Sequence, residues 1–289
     1  MGWWHPERSR AQRRLRRAIP FAGFVVLATA LSGCSTDSQW ERVGMPEIVT
    51  VQGEHILQLW QGAWIAALVT GVITWALIIG VPIWFRRRSD DEVPVQTRYN
   101  LPIEIFYTIF PVIMVIAFFS HTVRVQNIAL EHVEPDVVVK VVGQKWSWTF
   151  NYPDTEAAGG KNVYVSGTGE DIPQLVIPVD KTVEFDLYSP DVIHNFGIPA
   201  FAMRMDVVPG NDNSYQVTPT ETGVYDGKCY ELCGAYHSRM LFTVRVVTEA
   251  EYEAYLKKLA ADPDHVSDEP VKGGVYSENL INHDEEGHE

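Results

Sequence analysis

Apolar side chains follow three successive patterns along the chain, and each predicts a different kind of element. The first pattern is the unbroken run. No Asp, Glu, Lys or Arg occurs from Ile56 to Phe85, thirty positions, or from Ile105 to Thr122, eighteen positions. Roughly 20 helical residues cross a bilayer core, so these runs predict membrane helices over 55–85 and 103–124. The first is longer than a crossing needs, which implies tilt or a wet end near Gln58 and Gln61. The second pattern is the short β-branched or aromatic segment bounded by Pro, Gly, Asn or Asp: Val137–Val142, Trp146–Phe150, Gln174–Ile177, Thr182–Leu187, Tyr215–Thr218 and Leu241–Val247. Six such segments predict an all-β sandwich or barrel over 125–247. Within it, 154–171 carries Gly159-Gly160 and the turn-forming Ser166–Gly169, and reads as a surface insertion. The third pattern opens at Thr248, where Glu249–Lys258 predicts a short capped helix over 248–261. The acidic stretch 262–289 has little to bury and is expected to be disordered, with His283 and His288 solvated.

Charge gives these segments an orientation. Arg86, Arg87, Arg88 and Arg98 lie in the polar link 86–102 between the two spans, and positive loops stay on the cytoplasmic side. The spans therefore form an antiparallel hairpin with both ends outside. At the N-terminus, Arg13, Arg14, Arg16 and Arg17 precede the apolar run Ala18–Leu31, which is short for a membrane span and has the order of an export signal over 1–33. Leu31-Ser32-Gly33-Cys34 resembles the lipobox of bacterial lipoproteins, which implies cleavage before Cys34, acylation of its thiol and an external segment over 34–54; an uncleaved signal anchor is the alternative. The export signal and the arginine link agree on an outside N-terminus and place the β domain on the outer face of a bacterial membrane. Residues 1–33 carry six Arg against Glu7, a balance of +5, which leaves −19 on the rest of a chain whose formal charge is −14. A surface this acidic excludes nucleic acid as a partner; it suits a basic protein or simply a solvated exterior, so charge alone names no partner.

The segment Cys229-Tyr230-Glu231-Leu232-Cys233-Gly234-Ala235-Tyr236-His237-Ser238-Arg239-Met240 carries the densest chemistry. Two thiols, an imidazole and a thioether within twelve residues suit copper, the soft metal that accepts sulfur and imidazole together. On a helix, Cys229 and His237 would sit about 12 Å apart along the axis, whereas ligands must converge on a point, so the segment is expected to be a loop. His194, in Asp191-Val192-Ile193-His194, offers a second imidazole. A disulfide, a buried structural histidine and a core methionine are the ordinary readings of these residues taken singly. Zinc accepts Cys and His but matches Met poorly, and a single-copper blue site needs one Cys, so two thiols point to a bridge between two copper ions.

The run Cys229-x-Glu231-x-Cys233-Gly234-x-x-His237-Ser238-x-Met240, with Asp191-Val192-x-His194 and Asp206-x-x-Pro209-Gly210 before it, resembles cytochrome c oxidase subunit II. The resemblance extends from the first span to about Val247. It implies a two-helix transmembrane hairpin followed by a cupredoxin-like Greek-key sandwich or barrel holding a binuclear CuA centre. By that resemblance Cys229 and Cys233 bridge the coppers, His194 and His237 each bind one, Met240 is a weak ligand and Glu231 binds through its carbonyl, leaving its carboxylate for a magnesium ion shared with subunit I. Trp146, in Gly143-Gln144-Lys145-Trp146-Ser147-Trp148, resembles the residue through which the electron enters; a plain core Trp is the alternative. Glu104, in Glu104-Ile105-Phe106-Tyr107, resembles the acid at the mouth of a proton path; ordinary capping of a helix start is the alternative. The implied partners are oxidase subunits I and III and a cytochrome c, soluble or membrane-bound in a bc-type supercomplex. The implied function is acceptance of electrons from cytochrome c and their passage to haem in subunit I, where oxygen is reduced to water and protons are pumped. Tyr107 and Asn211 depart from the family's more usual Trp and Arg, which bears on docking and not on metal ligation. A membrane-anchored copper carrier or oxidase-assembly lipoprotein is the rival reading, and a quinol-oxidase type of subunit II would lack the copper ligands.

Overall fold

The computed structural model describes residues 39–89, 91–93, 95–168 and 171–273. The export signal, Cys34, His283 and His288 lie outside the described residues.

Helix α1 (Val51–Trp84) begins where the Thr50 side chain accepts a hydrogen bond from the Gly53 amide, and α2 (Leu101–Ala129) begins where Asn100 accepts one from Ile103. Both are long and apolar enough to cross a membrane, and their flanks lie almost wholly uncovered. At 1.5 Å per residue α1 spans about 50 Å, more than the roughly 30 Å hydrocarbon core. Its surplus lies at the start, where the β domain grips it. Val49 N–H donates to Ala200 O, Thr220 N–H to Val49 O, and Thr218 N–H to the Gln52 side chain. Gly53 fits here because a Cβ would stand 2.8 Å from the Phe201 carbonyl.

The β domain has two sheets. Strands β1 (Val137–Gln144), β2 (Ser147–Thr155), β3 (Lys161–Ser166), β5 (Val183–Tyr188), β8 (Asn213–Val217) and β11 (Val266–Ser267) form one, in the order β11-β3-β2-β1-β5-β8. Strands β4 (Gln174–Pro178), β6 (His194–Ile198), β7 (Met203–Val207), β9 (Gly223–Cys229) and β10 (Leu241–Val247) form the other, in the order β4-β10-β9-β6-β7. The pairs β1–β5 and β4–β10 are parallel; the others are antiparallel. Helix α3 (Glu249–Ala260) follows, closed by a reciprocal capping box between Thr248 and Glu251.

Rings from both sheets meet in the core. Trp148 and Phe150 on β2 and Phe185 on β5 face Phe196 on β6 and Phe242 on β10; Phe196 and Phe242 stack at 4.7 Å, and Trp148 meets them edge-on at 5.3 and 5.5 Å. All five are fully buried, each such ring stabilising the fold by about 1.5–3 kcal/mol of transfer energy, with ring geometry adding to it.

Two expectations are corrected. The insertion 154–171 contains β3, a full member of the sheet, paired with β2 across a register shift between Tyr152 and Thr155. The acidic stretch is ordered from Asp262 to Gly273: β11 pairs with β3, and the Asn151 side chain binds both the N–H and the C=O of Val271. A polar segment thus orders by giving its backbone partners instead of by burying apolar area.

Candidate metal centre

The site lies at one end of the β domain, where three strand ends converge. His194 is the first residue of β6, Cys229 the last of β9, and Met240 precedes β10. Between Cys229 and Met240 the chain is the expected loop, ending in one 3-10 turn at His237–Arg239. Its own backbone fixes it: Cys229 N–H donates to Met240 O, His237 N–H to Gly234 O, and Met240 N–H to His237 O. Gly234, at φ +124°, makes the bend.

This folding brings the predicted donors together. The two thiols are free and buried, with sulfurs 4.0 Å apart, so they are not the disulfide of the ordinary reading. Cys229 Sγ lies 3.9 Å from His194 Nδ1 and 3.2 Å from the Glu231 carbonyl oxygen. Cys233 Sγ lies 3.5 Å from His237 Nδ1 and 3.7 Å from Met240 Sδ. Two donors on one tetrahedral ion at about 2.0–2.3 Å stand roughly 3.5 Å apart, so these separations fit a shared metal. His194, Cys229 and Cys233 also form a group whose ligand atoms lie within 4.8 Å of one another.

Asp191 sets the histidine. His194 is fully buried, and its Nε2–H donates to Asp191 Oδ1 at 2.9 Å, which turns Nδ1 toward Cys229. The same carboxylate accepts from Lys145 N–H and Val192 N–H. Burial works against its charge, but the hydrogen bonds with His194, Lys145 and Val192 prevail and hold its pKa to about 2. Burial likewise opposes the His194 imidazolium, and bonding to Asp191 and Cys229 outweighs it, raising the pKa. The thiols titrate as a unit: the Cys233–Cys229 hydrogen bond stabilises a first thiolate on Cys229 and resists loss of the second proton. In the sequence, the mark of Asp191 is a carboxylate close before a candidate histidine ligand, the kind of group that orients a ligating imidazole.

Trp146 lies against the loop, its Nε1–H donating to Cys233 O at 3.2 Å and its ring meeting Tyr236 edge-on at 4.9 Å. Glu231 is exposed, and it is its backbone carbonyl that meets Cys229 Sγ. Glu104 is far along the chain in the first turn of α2, where its carboxylate accepts from Asn100 N–H at 2.8 Å, a helix-capping contact.

The profile of the family described as "Cytochrome C oxidase subunit II, periplasmic domain" matches residues 137–247. A probable cytochrome c oxidase subunit 2 of Streptomyces avermitilis is 45% identical over 283 residues, covering 86% of this chain and 88% of that one. The chain belongs to the cytochrome c oxidase subunit II family. A cytochrome c oxidase subunit 2 of Mycobacterium tuberculosis is 34% identical, covering 85% of this chain and 82% of that one. The solved periplasmic domain of subunit II from Bradyrhizobium japonicum is 29% identical at a TM-score of 0.40, covering 45% of this chain and 96% of that one. As a subunit II, the chain is a membrane-anchored part of a haem-copper oxidase, two apolar helices carrying a β domain that stands outside the membrane. The family implies CuA copper, and the donors fit it: two free thiols, imidazole and thioether are a soft set that copper accepts.

Proposed function

We propose that this chain accepts single electrons from a cytochrome c at a binuclear CuA centre and passes them to haem in subunit I, for reduction of oxygen to water coupled to proton pumping. The observation that carries the reading is that each thiol has its own flanking imidazole, His194 beside Cys229 and His237 beside Cys233. In this reading Cys229, Cys233, His194 and His237, with the Met240 thioether and the Glu231 carbonyl, would hold the two coppers. Copper held there would supply a one-electron site. The protein's contribution is to hold that geometry: strand ends and loop hydrogen bonds fix the donors, Asp191 fixes the His194 ring, and burial excludes water.

The remaining roles follow the same reading. The Trp146 indole, bonded to the carbonyl of Cys233, is where the electron arrives from the donor. The exposed Glu231 carboxylate is available to magnesium at the contact with subunit I. Glu104, at the cytoplasmic start of α2, sits at a proton path shared with subunit I. The hairpin crosses the cell membrane twice with its arginine link inside, Cys34 carries a lipid, and subunit III and a soluble or membrane-bound cytochrome c, the latter in a bc-type supercomplex, complete the assembly.

The test is copper stoichiometry by mass spectrometry and electron paramagnetic resonance on the complete chain in detergent. Two coppers per chain sharing one unpaired electron are expected. One copper, or a spin localised on one ion, sinks the reading in favour of a copper carrier or assembly lipoprotein.

A further inference from the structure

The Trp146 indole, carried on the turn between β1 and β2, rests against the metal loop. Three residues between the ligands Cys233 and His237, counting Cys233 itself, form its seat. The Cys233 carbonyl accepts its N–H, and Gly234 lies so close that a Cβ there would stand 3.0 Å from the indole. Tyr236 closes the third side, its ring edge-on at 4.9 Å and 84°. Tyr236 is 49% exposed, and the Arg239 guanidinium lies 5.8 Å from its ring centroid. The next residue along the tryptophan's own chain, Ser147, is buried and offers no ring. Among the described residues, the aromatic contact of Trp146 is the one with Tyr236.

We infer that Tyr236 is a positioning residue for electron uptake: it fixes the Trp146 indole against the metal loop at the point where the electron arrives. The inference rests on the reading of Trp146 as the point of electron arrival. In the step itself one electron leaves the reduced c-type donor and the centre gains it; no bond forms and no proton moves, so the Tyr236 hydroxyl has no part. What matters is the ring. An indole free to turn loses its contact with the Cys233 carbonyl, and misplacements of about 1 Å are enough to cost large factors in rate.

The experiment compares wild type, W146F, Y236F, Y236L and the double variant W146F/Y236L in the assembled oxidase, following reduction of the copper centre by reduced cytochrome c in stopped flow. Copper resonance spectra of each variant establish that the centre is loaded. Y236L is expected to slow reduction about five- to tenfold, the scale of losing one aromatic pair. Y236F should match wild type, and Y236L should cost nothing further in the W146F background, because Tyr236 acts through Trp146. A second readout needs no metal. In the metal-free chain labelled with 5-fluorotryptophan, the fluorine resonance missing from W146F should shift and broaden in Y236L and stay put in Y236F. Wild-type rates in Y236L, additive losses in the double variant, or an unmoved resonance overturn the inference. A wild-type rate in W146F is a different failure: it removes Trp146 as the electron's point of arrival, while the resonance still decides whether Tyr236 holds the indole. If Y236L takes up no copper, the metal-free resonance decides alone.

Discussion

Asp191 joins two parts of the site with one carboxylate, holding the His194 ring through Oδ1 and the amide before Trp146 through Oδ2. In Asp191→Asn the side-chain amide would set an N–H against either the imidazole N–H or a backbone N–H, leaving a donor unsatisfied. We expect copper affinity to fall about 10–100-fold, the usual cost of losing a ligand's orienting partner, and the metal-free domain to lose about 1–3 kcal/mol in denaturant. Competition with a copper chelator checks the first, and an unchanged affinity removes Asp191 from the metal's support. Asp186 poses the opposite electrostatic problem. Burial, then the neighbouring Glu184, raises its pKa above 3.8, with Lys140 opposing. The folded chain therefore binds this proton more tightly than the unfolded one, so stability is lost as pH rises through 3.8 toward the raised value. Asp186→Asn should be more stable than wild type at neutral pH, by a few tenths of a kcal/mol because the site is half-open to water. The gap should close as pH falls below the ordinary carboxylate range; thermal melts across pH that show a constant gap would mean packing, and not charge, is responsible.

At the scale of elements, what the sequence revealed depended on whether an element announces itself by apolar period. Both helices did, because uncharged runs of that length have few other uses. So did the metal loop, since converging ligands forbid a helix between Cys229 and His237. Strands β6, β7 and β9 escaped notice: His194-Asn195-Phe196-Gly197-Ile198 carries polar residues at buried positions, and Gly223–Cys229 is broken by two glycines. The glycine at 227 is needed because a Cβ would fall 2.1 Å from the Phe242 ring, a demand set by a residue fifteen positions away. The strap from Asp262 to Gly273 was hidden for another reason. It is held by Asn151, fully buried on β2, whose amide also reaches Lys140 O and Asn162, and this recognition of backbone has no periodicity. Asn151→Ala strips the strap of both Val271 bonds, and should destabilise the domain by about 2–3 kcal/mol through the buried groups left unpaired. Amide exchange in 266–273 should rise well above that in β1; equal protection in the variant would show that β11 alone holds the strap.

For the whole molecule, the metal centre bears on how the two sheets hold together. His194 and Cys229 belong to the five-stranded sheet, whereas Trp146 comes from the turn joining β1 and β2 in the six-stranded one. Asp191 lies on the connection from β5 to β6, which crosses between them. The indole bond to Cys233 and the Lys145 bond to Asp191 therefore tie the ligand loop to the opposite sheet. A metal that fixes the loop fixes this tie as well. Copper at about 100 times its dissociation constant adds roughly 2.7 kcal/mol to any state that binds it in preference to the unfolded chain. If the centre were a local clip, that gain would show as slowed exchange in 229–240 and little beyond it. Because the ligands come from one sheet and supports from the other, loading should instead raise the unfolding temperature of the whole domain and slow exchange in the β1–β2 turn together with the loop. Cys233→Ser should lose both effects. Protection confined to the loop would separate the centre from the sandwich and make its rigidity a property of the loop alone.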